Sequence, residues 1–188
     1  MGKARVGLLL AGIACCLYVT LTYAAVFSVD AVKAAFLYRF ASYVEWPADA
    51  PSGTFVIAVA GDEAVADQLD ALVPRMSVHG RPVQVRRVTR ASDIDGVHIL
   101  YIGPGPMTRT RSLRASAASR PILLVTDDQD GIDGGGVINF IESNRNVRFE
   151  ISLLAADRAR LKIDSALLSV AAHVEMRPQA ANDRGTPQ

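Results

Sequence analysis

The stretch FVIAVA, residues 55–60, is a continuous apolar run flanked by Thr54 and Gly61. Six residues are too few for a stable helix, so the run predicts a strand that is buried on both faces. Gly61 and Asp62 then predict a turn, and residues 63–72 have the pattern of a helix. A buried strand that leads through a turn into a helix is typical of a parallel sheet covered by helices.

The same order of elements is repeated along the chain. VHILYI, residues 97–102, predicts a second buried strand, which ends at the Gly-Pro-Gly-Pro stretch 103–106 and precedes a polar helix over 108–119. Further strands are predicted at 83–88, 122–125, 137–141 and 147–151, and further helices at 153–160 and 165–174. These elements predict an α/β fold, a three-layer sandwich in which a mostly parallel central sheet is flanked by helices. The strand pair around the polar turn 143–146 predicts an antiparallel edge.

The first element after residue 28 is predicted to be a helix over 30–46, capped by Ser28 or Asp30 and ended by Pro47. Its apolar face is a stripe at three- and four-residue spacing, made of Val32, Phe36, Phe40, Tyr43 and Val44. Outside the stripe lie the charged residues Lys33, Arg39 and Glu45. Because apolar and aromatic residues extend beyond this stripe, the helix is either covered by two layers of its own domain or offers a contact surface.

Residues 1–24 have the pattern of a cleaved signal peptide. Lys3 and Arg5 precede the uncharged run 6–21, and the small residues Thr22 and Ala24 have the spacing of a signal peptidase site. A permanent membrane anchor is the alternative, but it needs about 20 apolar residues, and this run is shorter. We therefore expect three parts: a signal peptide at 1–24, an α/β domain at 25–176 and a disordered tail at 177–188.

Composition excludes several classes of function. The 21% content of charged residues argues against a disordered solvating segment, and the formal net charge of +1 gives no indication of binding to nucleic acid or to an anionic membrane. Both cysteines, Cys15 and Cys16, lie in the predicted signal peptide, so the domain has no disulfide, no thiolate nucleophile and no cysteine ligand for a metal.

No catalytic group, metal site or cofactor site is predicted. When Gly131 is aligned with the invariant glycine of an EF-hand loop, Thr126 and Val137 occupy positions that require carboxylates, so calcium is not expected. The three histidines are His79, His98 and His173, and no pair of them has helical zinc spacing. For His98, inside an apolar strand, a hydrogen-bonded role in the core is expected.

Several stretches of the chain resemble the YfiR-like family. They are VKAAFLYRFASYVEWP, FVIAVAGDE, VHGRPVQVRRV, VHILYIG, GGGVINFI, VRFEIS and LKIDSALLSVAAHV, which follow one another between about residues 30 and 174. The resemblance implies an α/β domain in the periplasm, often a homodimer, that binds the periplasmic domain of a membrane-bound diguanylate cyclase. It implies repression of that enzyme, and hence less cyclic di-GMP and less biofilm. Attachment to the inner membrane would be only through this partner. Relatives can carry periplasmic disulfides, which this domain lacks.

Two sets of residues are candidates for binding. The resemblance does not fix the contact surface, and for the cyclase we select residues of the first helix: Phe36, Tyr38, Arg39, Tyr43 and Trp46. The alternative function is a periplasmic small-molecule sensor. Its ligand would occupy the crevice outside the strand ends, for which the candidates are Asp62, Gly103, Gly105 and Arg109. An enzyme is the third and least supported alternative, because no pair of nucleophile and base can be assembled.

Overall fold

The computed structural model describes residues 28–143 and 146–176. The predicted signal peptide at 1–24 and the predicted disordered tail at 177–188 lie outside the described residues. Within the described part, ten strands are present: β1 (Val44–Glu45), β2 (Phe55–Ala60), β3 (Ser77–Val78), β4 (Arg81–Arg87), β5 (Ile99–Ile102), β6 (Leu123–Thr126), β7 (Ile138–Ser143), β8 (Asn146–Ser152), β9 (Lys162–Ile163) and β10 (His173–Glu175). The α-helices there are α1 (Val29–Phe40), α2 (Glu63–Leu72), α3 (Met107–Ala117), α4 (Leu153–Arg158) and α5 (Ser165–Val170).

Eight of these strands form the central sheet, in the order β10-β8-β7-β6-β5-β2-β4-β3. The five neighbouring strands β7, β6, β5, β2 and β4 run parallel. β8 is antiparallel to β7, and β3 is antiparallel to β4. The prediction of a mostly parallel sheet is therefore confirmed. The predicted antiparallel pair is present as β7 and β8, but β8 is not the edge of the sheet, because β10 pairs with its other side in parallel.

Helices cover both faces of the sheet. The connection β2-α2-β4 moves along the sheet in one direction, and β5-α3-β6 moves in the other. Since such crossovers are right-handed, α2 and α3 lie on opposite faces. α1 packs beside α2. Every residue of β2, β5 and β6 is buried, as expected for strands between two helical layers. The predicted three-layer α/β architecture is confirmed.

The first helix is shorter than predicted. It ends at Phe40 instead of Trp46, and the chain turns so that Val44 and Glu45 form β1, paired antiparallel with Ile163 and Lys162 of β9. The helical stripe did extend to Val44, but a strand segment almost 120 residues later offers these residues a hydrogen-bonded partner, and tertiary pairing prevails over local propensity. Tyr43 and Trp46 are therefore not on the helix.

The last helix is also shorter than predicted. It ends at Val170, and residues 173–175 form β10 on the outer edge of β8. The backbone carbonyl of Phe149 accepts a hydrogen bond from Ala172 N–H at 2.8 Å, which starts this pairing. His173, predicted on a helix, lies instead on an edge strand. The six predicted strands and the other predicted helices agree with the structure to within about two residues, whereas the short strands β1, β3, β9 and β10 were not predicted.

Candidate functional site

The candidate contact residues of α1 differ in what they touch. Phe36 is half-buried, and its ring lies edge-on to Phe149 at 5.4 Å. Tyr38 is also half-buried, and its hydroxyl donates to the backbone carbonyl of Ser77 at 3.0 Å. Arg39 is exposed. Phe36 and Tyr38 thus hold the helix on the domain, while Arg39 faces solvent.

The two candidates beyond the helix separate from each other. Tyr43 lies beneath Arg39, whose guanidinium carbon is 5.8 Å from the ring centroid, within the range of a cation–π contact. Trp46 packs edge-on against Phe55, with ring centroids 5.2 Å apart. Trp46 lines a cavity of 540 Å³ whose walls include Arg81, whereas Phe36 and Arg39 line a different one. The structure therefore brings Arg39 and Tyr43 together and sets Trp46 apart.

An apolar groove lies between α1 and α2. Its volume is 560 Å³. The residues that line it come from the two helices and are mostly small and apolar: Ala31, Val32, Ala34, Ala35, Phe36, Arg39, Gln68, Ala71 and Leu72. Ala35 and Ala71 are exposed on its walls, and Arg39 is the charged residue among them. We call this feature the α1–α2 groove.

A buried ion-pair cluster, which the sequence did not predict, fastens α1 to the sheet. Lys33 is only 4% exposed, although it was expected outside the buried stripe. Its Nζ lies 2.6 Å from Asp127 Oδ2 and 2.5 Å from Glu142 Oε1. Burial lowers the pKa of Lys33, but the hydrogen bonds and charges of the two carboxylates outweigh it, so the pKa is raised and the ammonium stays charged. Both partners come from the far half of the chain, so local patterning could not identify them.

The crevice at the carboxyl ends of β2 and β5 is filled by the chain's own groups. Asp62 caps α2 by accepting from Val65 N–H at 3.1 Å, and its other oxygen accepts from the Tyr101 hydroxyl at 3.1 Å. The same hydroxyl lies 3.1 Å from Asp127 Oδ2. Burial, followed by the charges of Asp127 and Asp62, raises the pKa of Tyr101, so the phenol keeps its proton. Gly103 packs so tightly that a Cβ there would lie 2.7 Å from Asp62 Cβ.

The other two crevice candidates lie further along the chain. Gly105 lines a small cavity of 270 Å³ together with Asp128 and Asp130, which lie in the loop between β6 and β7. Arg109 is half-buried in the first turn of α3. The structure thus brings Asp62 and Gly103 into contact and places Gly105 in a separate cavity.

The three histidines lie in different parts of the fold. His98 is fully buried, as expected for a core histidine, whereas His79 is in the turn between β3 and β4 with φ of +49°. His173 is on β10. Within residues 28–143 and 146–176, no group of three or more His, Cys, Asp or Glu side chains is arranged to hold a metal ion.

With this geometry established, comparison with known proteins identifies the family. A family model described as YfiR/HmsC-like matches residues 30–172, which includes the helices and strands from α1 to α5 almost completely. The chain belongs to the YfiR/HmsC-like family. At the level of the family, its members are periplasmic regulators of diguanylate cyclases. No curated protein matches the chain. Among the residues that the structure describes, no helix has the length and apolar character needed to span a bilayer.

Proposed function

We propose that this YfiR/HmsC-like protein binds the periplasmic domain of an inner-membrane diguanylate cyclase and holds the enzyme inactive, which lowers cyclic di-GMP. The observation that carries the proposal is the match of the family model to residues 30–172. The absence of thiols from the predicted mature domain is consistent with regulation by surface contact and not by disulfide exchange.

The α1–α2 groove is the surface that we assign to the cyclase. An apolar helix of the partner would lie between α1 and α2, since helices dock in apolar grooves through residues spaced three and four apart. Phe36 forms part of the floor, and Arg39 supplies a positive charge at the rim. Tyr38 contributes indirectly, because its hydroxyl is bonded to Ser77 and fixes the position of α1. Trp46 lies outside this groove, in a cavity of its own.

Repression follows from unequal affinity for two states of the enzyme. If the regulator binds the inactive cyclase more tightly than the active one, it shifts the population towards the inactive state. A shift from 1:99 to 99:1 requires about a 10⁴-fold difference in affinity between the states. Loss of the regulator, or of the groove contacts, therefore releases the cyclase.

The substitution Ala35→Glu tests the assignment of the groove. Ala35 is exposed and lines the groove, so the fold tolerates a larger side chain while the new carboxylate faces the partner helix. We expect weaker binding and higher cyclic di-GMP in cells that express the cyclase. The new carboxylate would have to be buried in an apolar contact, and it would also compete for Arg39, four residues further along the same helix. The measurements are co-purification from membranes and cellular cyclic di-GMP.

The matched control is Ala64→Glu, which changes an exposed alanine of α2 that does not line the groove. This variant should repress like the wild type. Equal repression by both variants, with both folded, would show that the cyclase binds elsewhere. A rise in cyclic di-GMP that persists in cells without the cyclase would contradict the proposed partner itself.

A small-molecule sensor is the second candidate function. The observation in its favour is the size of the α1–α2 groove, since 560 Å³ is within the range of small-molecule sites, about 300–1,000 Å³. An apolar ligand there would compete with the partner helix. A ligand that raises the thermal midpoint of the wild type but not that of Ala35→Glu, and that does not change cyclase activity, would favour this function over repression.

A further inference from the structure

Residues 46–54 lie between β1 and β2 without a helix or strand of their own, and Arg81 at the start of β4 holds them in place. Arg81 Nη2 donates to the carbonyls of Pro51 at 3.0 Å and Thr54 at 3.2 Å, and Nε donates to that of Gly53. An exposed pair between Arg160 and Asp49 adds a contact at 2.8 Å. Arg81 therefore makes most of the side-chain hydrogen bonds that hold this loop, and His98 makes one more.

His98 lies directly beneath this attachment. It is 0% exposed, and its ring stacks on Phe55 with centroids 4.5 Å apart and lies 6.2 Å from the ring of Trp46. Its Nδ1 accepts the backbone N–H of Val56 at 3.1 Å, so that nitrogen carries no proton. The proton of the neutral ring is therefore on Nε2, which donates to the Pro51 carbonyl at 2.9 Å.

A second proton on His98 has no acceptor in this arrangement. Protonated Nδ1 would point at the Val56 N–H, so a hydrogen bond at the start of β2 would be lost. The imidazolium would also lie 2.9 Å from Arg81 Nη2, with two positive charges in contact. Glu45 and His79 are the other titratable groups around the adjoining 540 Å³ cavity. Burial above all, and then Arg81, lower the pKa of His98 from its ordinary 6.5, although the bond to Pro51 opposes this.

We propose that His98 and Arg81 form a pH-sensitive latch on residues 46–54, so that protonation of His98 releases this loop from Arg81 and exposes Trp46. The latch is independent of the proposed repression, because it requires only the contacts within this domain. The pKa of His98 is lower in the closed state than its ordinary value, so protonation favours the open state. The latch is therefore fully closed above about pH 6.5, where the ring is neutral in both states, and it opens as the pH falls below that value.

The chain contains one tryptophan, so Trp46 fluorescence reports on the latch directly. Protein purified after expression of the full 188-residue chain would be titrated from pH 8 to pH 4.5. We expect a red shift of the emission with a midpoint below 6.5, while far-UV circular dichroism stays unchanged. Hydrogen exchange should show loss of protection at the Val56 amide but not in β5. A flat emission profile, or a shift that coincides with global unfolding, would overturn the proposal.

Three variants assign the transition. His98→Asn keeps an acceptor for the Val56 N–H but does not titrate, so the red shift should disappear; its persistence would contradict the latch. His79→Gln changes the histidine that lines the 540 Å³ cavity and should keep the wild-type midpoint. Loss of the red shift in this variant would mean that His79, and not His98, controls the transition. Arg81→Met removes the opposing charge, so its emission should be partly red-shifted at pH 8 and its midpoint should rise towards 6.5. An unchanged midpoint in Arg81→Met would overturn the role of Arg81 even if His98→Asn fails to fold.

Discussion

The ion-pair cluster around Lys33 gives a sharp prediction of stability. Replacing Lys33 by Met keeps most of the side-chain volume but leaves Asp127 and Glu142 without their cation. Removing one partner of a buried ion pair costs about 3–5 kcal/mol. The side chain of Glu142 is 52% exposed and can be hydrated, and Asp127 keeps its contact with the Tyr101 hydroxyl. We therefore expect the lower end, a loss of about 3 kcal/mol in the free energy of unfolding.

Urea unfolding followed by far-UV circular dichroism measures this loss. Lys162→Met is the matched control, because Lys162 is an exposed lysine on β9, and its effect should lie within about 0.5 kcal/mol. The double variant Lys33→Met, Asp127→Asn should be more stable than Lys33→Met alone, since it leaves no uncompensated buried carboxylate. If Lys33→Met and Lys162→Met unfold at the same urea concentration, the cluster does not stabilise the fold and this reasoning is wrong.

Three further predictions concern the crevice. Tyr101→Phe removes the donor shared by Asp62 and Asp127 and should cost about 1–3 kcal/mol in urea unfolding; wild-type stability would show that the hydrogen bonds contribute nothing. Because the pKa of Tyr101 is raised, wild-type stability should fall above about pH 10, where the unfolded phenol ionises, and less so in the variant. Gly103→Ala places a Cβ against Asp62 and should lower the free energy of unfolding by about 1–3 kcal/mol. Gly105→Ala is the control and should be neutral, because the nearest atom to its new Cβ is 4.0 Å away. Equal thermal midpoints of the two variants would contradict the close packing at Gly103.

The sequence predicted the central sheet well because its signals are local. Residues 55–60 and 97–102 are short continuous apolar runs, and such runs have few alternatives to a buried strand. The ends of α1 and α5 were predicted too far along the chain, since β1 and β10 exist only through pairing with β9 and β8. Helical periodicity contains no information about such partners.

In the candidate site, too, local features were predicted and contacts between distant parts of the chain were not. The selection of contact residues for the cyclase stays a prediction. Arg39 and Tyr43 do lie together, although Tyr43 lies beyond the end of the first helix. Its buried lysine was missed because the partners Asp127 and Glu142 lie 94 and 109 residues away along the chain. The α1–α2 groove was missed for a similar reason: the second wall comes from α2, and no pattern within one helix predicts which neighbour it will have.

The pairing of β1 with β9 has a consequence for the order of synthesis. α1 emerges first, yet the elements that complete its surroundings, from β7 to β9, are made only in the last third of the chain. Closing contacts across such long intervals is slow, because much chain entropy is lost before they form. The β1–β9 pair cannot form until residue 163 has been made, so the surroundings of α1 are completed only after most of the chain has been synthesised.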